Sequence, residues 1–212
     1  TSPAEKAPRP DDFSGVFFPA CWQTIKTDVM AVFHAFYQLA GGDFAALNRA
    51  MIILLPKKDG ATKLSDFRPI SLVHSVAKLI AKVLSIRLAG VLDHLISPAQ
   101  SAFQKKKGIH DSFLYVQSAL RQFKRKRSPM LLLKIDIAKV FDIVSWEYIL
   151  ELLQRMNFPA RWRDWIALLL STASSACLLN GDPGPAILHH RGLRQGDPLS
   201  SILFILAIDP LH

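Results

Sequence analysis

Two stretches of the chain carry residues whose types and spacing can do chemistry. The first is Lys134-Ile135-Asp136-Ile137-Ala138-Lys139-Val140-Phe141-Asp142, in which two carboxylates flank a short apolar stretch. It closes the continuous apolar run Met130 to Ile135, which reads as a buried strand that delivers the Asp136 carboxylate to a sheet edge. The second is Arg191-Gly192-Leu193-Arg194-Gln195-Gly196-Asp197-Pro198-Leu199-Ser200. It sets two arginines, a glutamine and two glycines just before a predicted helix start. Glycine lets a backbone approach a ligand closely, and a helix N-terminus favours negative charge. Each stretch also has a plainer reading. Acidic residues after strands often cap helices or face water, and Asp197-Pro198 is by itself a capped turn.

The whole chain favours a polyanionic partner. Its 212 residues hold 26 Lys plus Arg against 17 Asp plus Glu, a formal net charge of +9. Half the residues are hydrophobic, enough for a large core and against global disorder. The longest uncharged apolar stretch, Trp165 to Asn180, falls short of the ~20 residues a membrane helix needs, so no membrane partner is expected. Cys21 and Cys177 match no metal spacing, and each reads as a small buried apolar residue in a reducing compartment. With no signal-peptide pattern the expected location is intracellular. The ends at Thr1 and His212 suggest a piece of something longer.

Several elements must position these stretches. Prolines make residues 1–20 an irregular lead-in. Ile25, Val29, Val32, Phe33 and Phe36 fall at helical spacing, which predicts a helix from Trp22 to Leu39, stopped by Gly41 and Gly42. Met51 to Leu55 reads as a strand closed by Pro56, and Lys57-Lys58-Asp59-Gly60 as a basic hairpin tip. The next predicted helix runs from Ser75 to about Leu92, with Val76, Leu79, Ile80, Val83, Leu84, Leu88, Val91 and Leu92 on its apolar face. Another covers 111–126, with Phe113, Leu120 and Phe123 inward. Ser145 caps a helix reaching Met156, and Trp162, Trp165, Ile166 and Leu169 mark one more. Residues 176–190 read as a hairpin around Asn180 to Gly184. Asp197 and Pro198 open the final helix. The mixture is α+β and helix-rich.

Taken in order, the motifs resemble those of the reverse transcriptases of non-LTR (LINE-type) retrotransposons, especially those of plants. They are Lys6-Ala7-Pro8 with Pro10-Asp11 and Phe13, Leu55-Pro56-Lys57-Lys58, Phe67-Arg68-Pro69-Ile70-Ser71-Leu72 and Gln100-Ser101-Ala102-Phe103. Then come Lys134-Ile135-Asp136, Phe141-Asp142, Val144-Ser145-Trp146 and Arg194-Gln195-Gly196-Asp197-Pro198-Leu199-Ser200. The resemblance implies a right-hand polymerase, with residues 1–128 as lead-in and mostly fingers and 129–212 as the start of the palm. It implies an RNA template, a DNA primer and deoxynucleoside triphosphates as partners, and Mg²⁺ (or Mn²⁺) as cofactor in a two-metal transfer.

The site residues follow from the same resemblance. Asp136 is the expected catalytic and metal-binding aspartate, with the Ile137 backbone carbonyl as a further ligand. Phe141 is expected under the nucleotide sugar, where it excludes a 2′-hydroxyl. Gln195 and Gly196 are expected against the incoming nucleotide and template. Arg68, held extended by Pro69, is expected to reach the triphosphate with Lys57 or Lys58. Lys105, Lys106, Lys107, Arg121, Lys124, Arg125, Lys126, Arg127 and Arg194 are the expected nucleic-acid contacts. Asp142 is expected to be structural.

The sequence also departs from the family pattern. Arg9 and Asp12 stand where glycines are usual, Lys107 where an arginine is, Val140 for an alanine, Ile143 for a small polar residue and Ser201 for a proline. The second catalytic element, an aromatic-Ala-Asp-Asp turn, does not occur in these 212 residues. Asp209 is not a substitute, because it falls on the expected final helix. The expectation is therefore a polymerase truncated before that turn and inactive alone. The alternatives are a non-catalytic nucleic-acid-binding remnant of the same fold and a metal-dependent hydrolase using Asp136 and Asp142.

Overall fold

The computed structural model describes residues 11, 13, 16–39, 44–97, 100, 108–127, 129, 131 and 139–211. Its sheet begins with the hairpin expected from Met51 to Gly60. Arg49–Pro56 (β1) pairs antiparallel with Phe67–Val73 (β2), in a register running from Ala50↔Val73 to Pro56↔Phe67. Gly60 takes φ 69°, which favours glycine. The connection is longer than a tight turn, however. Leu64–Asp66 form a 3-10 turn within it, and the Lys57 amide donates to the Asp66 carbonyl at 2.8 Å.

Ser174–Leu179 (β3) lies parallel to β1, from Arg49↔Ser174 to Ile52↔Cys177. The chain then turns through Asn180 and Gly181, both at positive φ, into Asp182–Pro183 (β4). That is the backbone of a two-residue hairpin loop matched to strand twist. After an interruption that includes Pro185, Ile187–Leu188 (β5) rejoins β3 at Ser174 and Ser175. The predicted 176–190 hairpin is thus present, on a mixed sheet ordered β2-β1-β3-β4.

The helices build the main hydrophobic core, and a small second cluster of Ala50, Val73 and Ala77 lies at the sheet. Trp22–Gln38 (α1) buries Val29 and Phe36 and ends at Leu39, whose φ of 55° places the stop ahead of the two glycines. Gly41 and Gly42 lie outside the described residues. Ser75–Ala89 (α2) stops at Gly90, and Leu92–Leu95 form a separate turn, so the predicted helix to Leu92 is broken. Its buried face is also rotated. Ala77, Ile80, Ala81, Leu84, Ser85 and Leu88 are inside, while Val83 and Val91 are exposed. Small side chains let this helix approach Pro198–Ile208 closely, so size as well as apolarity chose the face. The N-terminus of α2 is capped from a distance: the Ser75 amide and hydroxyl both donate to the Asp11 carboxylate.

Ile109–Lys126 (α3) is a helix as predicted, but its apolar stripe is not inward. Phe113 is 64 % exposed, and Leu120 and Phe123 are exposed as well. Of the predicted strand Met130 to Ile135, only Leu131 is described, and it is 90 % exposed rather than buried. Cys177 is exposed and Cys21 half-buried, in place of the two buried thiols expected.

Trp146–Arg155 (α4) starts at Ser145, whose hydroxyl accepts the Tyr148 amide at 3.2 Å. Ala160–Ser171 (α5) buries Trp162, Trp165, Ile166 and Leu169, the four residues that marked it. Pro198–Ile208 (α6) opens as predicted, with Pro198 in its first turn and the Asp197 carboxylate accepting the Leu199 amide at 2.9 Å. It is apolar nearly all round and is accordingly the central core helix. Each large apolar side chain it buries contributes about 1.5–3 kcal/mol. Asp209, just past its end, accepts the Ser97 amide at 3.0 Å and so is engaged structurally. The core draws mostly on α5 and α6, with α2 and α4 adding to it and Phe36 buried from α1. Among the described residues no helix is long and apolar enough to cross a membrane.

Candidate functional site

The segment Arg191 to Asp197 crosses the molecule between the β1–β2 hairpin and the turn before α4. Four contacts fix its path. The Gly192 amide donates to the Val144 carbonyl at 2.8 Å, and the Leu193 amide to Phe141 at 2.7 Å. The Trp146 indole Nε1 donates to the Gly192 carbonyl at 2.7 Å. On the other side the Ser71 amide of β2 donates to the Gln195 carbonyl at 3.1 Å. Two glycines make the crossing possible. Gly192 has φ 83°, and a Cβ there would stand 2.7 Å from the Asp142 carbonyl oxygen. Gly196 has φ 101°, and its Cβ would stand 3.3 Å from the Ser71 carbonyl. No other residue suits either position without strain.

A cleft of about 280 Å³ opens beside this segment. Ile52, Pro69 and Ser71 line it from the hairpin, Asp142 and Trp146 from the turn and α4, and Arg194 and Gln195 from the crossing itself. Its floor is the apolar side of α5 and α6. Floor and walls can thus hold the face of a flat or apolar group while the main chain of 192–197 approaches it.

Burial controls the charges here. It raises the Asp197 carboxyl above the ordinary range, against the Leu199 amide and the Arg194 and Lys78 charges, which pull it down. It lowers the Arg194 guanidinium, with Asp197 opposing. It also lowers the His189 imidazole, helped by the charges of Arg194 and His190. His189 Nε2 lies 2.7 Å from Ser175 Oγ, and the His189 amide donates to the Ala173 carbonyl at 3.2 Å. The ring is therefore tied to β3.

The expected site residues do not all come together. Gln195 lines the cleft, and Gly196 stacks its bare backbone on β2 beside it. Phe141 is half-buried in the single helical turn Val140–Ile143, and its ring stacks on Phe204 of α6, 4.2 Å between centroids. It packs against the core, and its neighbour Asp142, not Phe141 itself, lines the cleft. Arg68 sits extended on β2 with its side chain exposed and does not line the cleft; by strand alternation it points to the face opposite Pro69 and Ser71, which do. Lys57 stands just past the end of β1, roughly 16 Å of strand rise beyond Ile52. Its Nζ donates to the Ser65 carbonyl at 2.7 Å, and Lys58 pairs with Asp66 at 3.1 Å. That pairing, with other loop contacts, holds the Asp66 carboxyl below its usual range. Arg121, Lys124, Arg125, Lys126 and Arg127 form an exposed basic end of α3. Arg194, expected on nucleic acid, is turned inward instead: both terminal guanidinium nitrogens donate to Asn48.

Asp136, Ile137, Lys105, Lys106 and Lys107 lie outside the described residues. Among the described residues no group of three His, Cys, Asp or Glu side chains can hold a metal ion. Asp197 is committed to capping α6, and among the described residues Asp142 is the one other carboxylate lining the cleft. The described residues therefore do not fit a metal by themselves, and no chemical step is derived through one.

Sequence reasoning missed Asn48, Ser71 as a main-chain partner, and the Ser175–His189 pair. Asn48 gives no local signal, since an asparagine before a strand reads as a turn residue. The other two act through backbone or across strands, where only the register brings them together.

Comparison with known proteins follows the same outline. A family model described as "Reverse transcriptase (RNA-dependent DNA polymerase)" matches residues 55–212. The "Transposon TX1 uncharacterized 149 kDa protein" of Xenopus laevis is 30% identical over 208 residues, 98% of this chain and 16% of its own length. The "Retrovirus-related Pol polyprotein from type-1 retrotransposable element R2" of Popillia japonica is 28% identical over 159 residues, 74% of this chain and 22% of its own. The corresponding polyprotein from type-2 retrotransposable element R2DM of Drosophila melanogaster is 29% identical over 168 residues, 78% of this chain and 16% of its own. The chain thus spans less than a quarter of the length of each of these relatives.

Proposed function

The chain belongs to the reverse transcriptase (RNA-dependent DNA polymerase) family, and from that premise we propose that it forms the fingers and the first part of the palm of an RNA-directed DNA polymerase from a non-LTR retrotransposon, of the plant LINE type its motifs resemble. Residues 1–128 are read as lead-in and fingers and 129–212 as palm. The partners are an RNA template, a DNA primer and deoxynucleoside triphosphates.

One observation carries the reading. Pro69, Ser71, Asp142 and the Leu193–Gln195 stretch are far apart in sequence yet line a single cleft, and main-chain hydrogen bonds tie that stretch to Phe141 through Leu193 and to Ser71 through Gln195. In this reading Gln195 and the backbone at Gly196 bear on the base pair being formed. Phe141, braced by Phe204, walls the sugar position. Arg68 supplies a planar cationic fork at the triphosphate, and the apolar floor of the cleft excludes water from the base. Members of this family use divalent ions. In this reading Asp136 and the Ile137 carbonyl would hold Mg²⁺ (or Mn²⁺), which would supply charge neutralisation at the phosphates. Because the 212 residues include no Ala-Asp-Asp turn, the chain alone is not expected to extend a primer.

Equilibrium binding of a fluorescent deoxynucleoside triphosphate, with and without primed RNA template, tests the assignment. The template should strengthen binding, and Gln195→Ala and Arg68→Ala should each weaken it by about tenfold, some 1.4 kcal/mol. Nucleotide binding indifferent to both substitutions would refute the placement.

A further inference from the structure

Arg194 and Asn48 form a lock whose position in the fold gives it a role no motif assigns. The Arg194 Nη1 donates to the Asn48 main-chain carbonyl at 3.0 Å, and Nη2 donates to its side-chain Oδ1. The same side chain uses its Nδ2 to donate to the Leu169 carbonyl and to the Thr172 hydroxyl, both at 2.8 Å. Thr172 Oγ1 donates in turn to the Leu168 carbonyl at 2.6 Å. Asn48 is 2 % exposed, so each of these bonds is shielded from water. Its amide orientation is also fixed. Turning it over would set the NH₂ group against the guanidinium and the oxygen against the Leu169 carbonyl.

The lock sits between two other attachments of one segment. Leu193 on one side is bonded to Phe141, and Gln195 on the other to Ser71. Arg194 therefore ties the middle of the crossing to the junction of β1 and the C-terminal end of α5. Two charge-assisted hydrogen bonds in a planar fork fix direction as well as distance, and a lysine has no such fork. A guanidinium whose terminal nitrogens both face Asn48 is not presented to a phosphate.

We propose that Arg194 is a positioning residue: held by Asn48, it sets the Gln195–Gly196 turn in the cleft, and it acts on the nucleotide only through that turn. The role in nucleotide placement rests on the polymerase reading above. The positioning of the turn does not.

The test uses the full 212-residue chain as parent, Asn48→Ala, Arg194→Lys, Arg194→Ala and the Asn48→Ala/Arg194→Ala double variant. Amide hydrogen exchange reports the turn directly. Each single variant should raise exchange at Leu193 to Gly196 by about tenfold or more, with α4 protected as in the parent. Arg194→Lys should behave like Arg194→Ala. Nucleotide affinity, read with the same fluorescent triphosphate, should fall about equally in the two alanine variants, and the double variant should be no worse than either. The salt dependence of binding should stay at the parent's slope. Unchanged exchange at 193–196 in Asn48→Ala would overturn the proposal. So would an Arg194→Ala loss that exceeds and adds to that of Asn48→Ala with a shallower salt slope, the mark of a direct phosphate contact. A parent that binds no nucleotide would refute the polymerase reading, while the exchange measurement would still decide the lock.

Discussion

The backbone of Gly192 lies against the carbonyl of Asp142 so closely that a Cβ at Gly192 would stand 2.7 Å from that oxygen. The contact joins two stretches that the sequence separates by fifty residues. It explains why the second residue of the crossing segment is a glycine: φ 83° and the lack of space both demand one.

Gly192→Ala should therefore destabilise the chain by about 1–3 kcal/mol, since backbone rather than a flexible side chain must give way. Gly184→Ala serves as the comparison. Its Cβ would meet the Cys177 carbonyl at 3.4 Å, an ordinary contact. It should change stability by no more than about 0.5 kcal/mol. Denaturant midpoints of the two variants check the difference, and equal midpoints would speak against the close approach.

His189 gives a pH dependence with a defined sign. Burial, then Arg194 and His190, depress its pKa below the ordinary value of 6.5. The unfolded chain consequently binds more protons between the folded pKa and about 6.5. The stability tied to a neutral ring is full above that value and is lost as pH falls toward the folded pKa. Partial exposure keeps the slope well under about 1.4 kcal/mol per pH unit. Stability curves at pH 7 and pH 5 should converge less steeply in His189→Gln than in the parent. Parallel curves would remove His189 as the cause.

The basic end of α3 predicts salt-sensitive binding. The chain should bind primed RNA without sequence preference, with affinity falling steeply as salt rises. Replacing Lys124, Arg125, Lys126 and Arg127 with glutamine should shallow the slope by roughly 0.7 for each phosphate that these side chains no longer neutralise. Fluorescence anisotropy across a salt series measures it, and an unchanged slope takes α3 out of the footprint.

Much of this architecture was legible in local sequence because local physics set it. Ser145, Asp197 and Pro198 are capping signals that act within one turn, and each does what its type predicts. Trp162, Trp165, Ile166 and Leu169 are large enough that their spacing alone names the buried face of α5. Apart from the local stops at Leu39 and Gly90, the failures are long-range. Val83 and Val91 looked inward by period, but Ala77 packs with Ala50 and Val73 of the sheet, and Ala81 and Ser85 are buried instead. The stripe of Phe113, Leu120 and Phe123 is amphipathic by spacing, yet spacing does not say what lies opposite. In the site, Gln195 and Gly196 were legible as a flexible turn before a helix. The inward turn of Arg194 was not, because Asn48, 146 residues away, decides it.

One placement is central to the proposed function, that of a nucleotide beside Phe141 and the Arg191–Asp197 crossing. Photocrosslinking measures it most directly: a photoreactive deoxynucleoside triphosphate is bound to the chain on a primed RNA template, irradiated, and the modified peptides are mapped by mass spectrometry. The predicted result is label on the peptide holding Phe141, on the peptide holding Arg191 to Asp197, or on both, reduced by unlabelled nucleotide. Label confined to the apolar groove between α1 and α2, around Phe33, Tyr37 and Val83, with none at either predicted peptide, would contradict it.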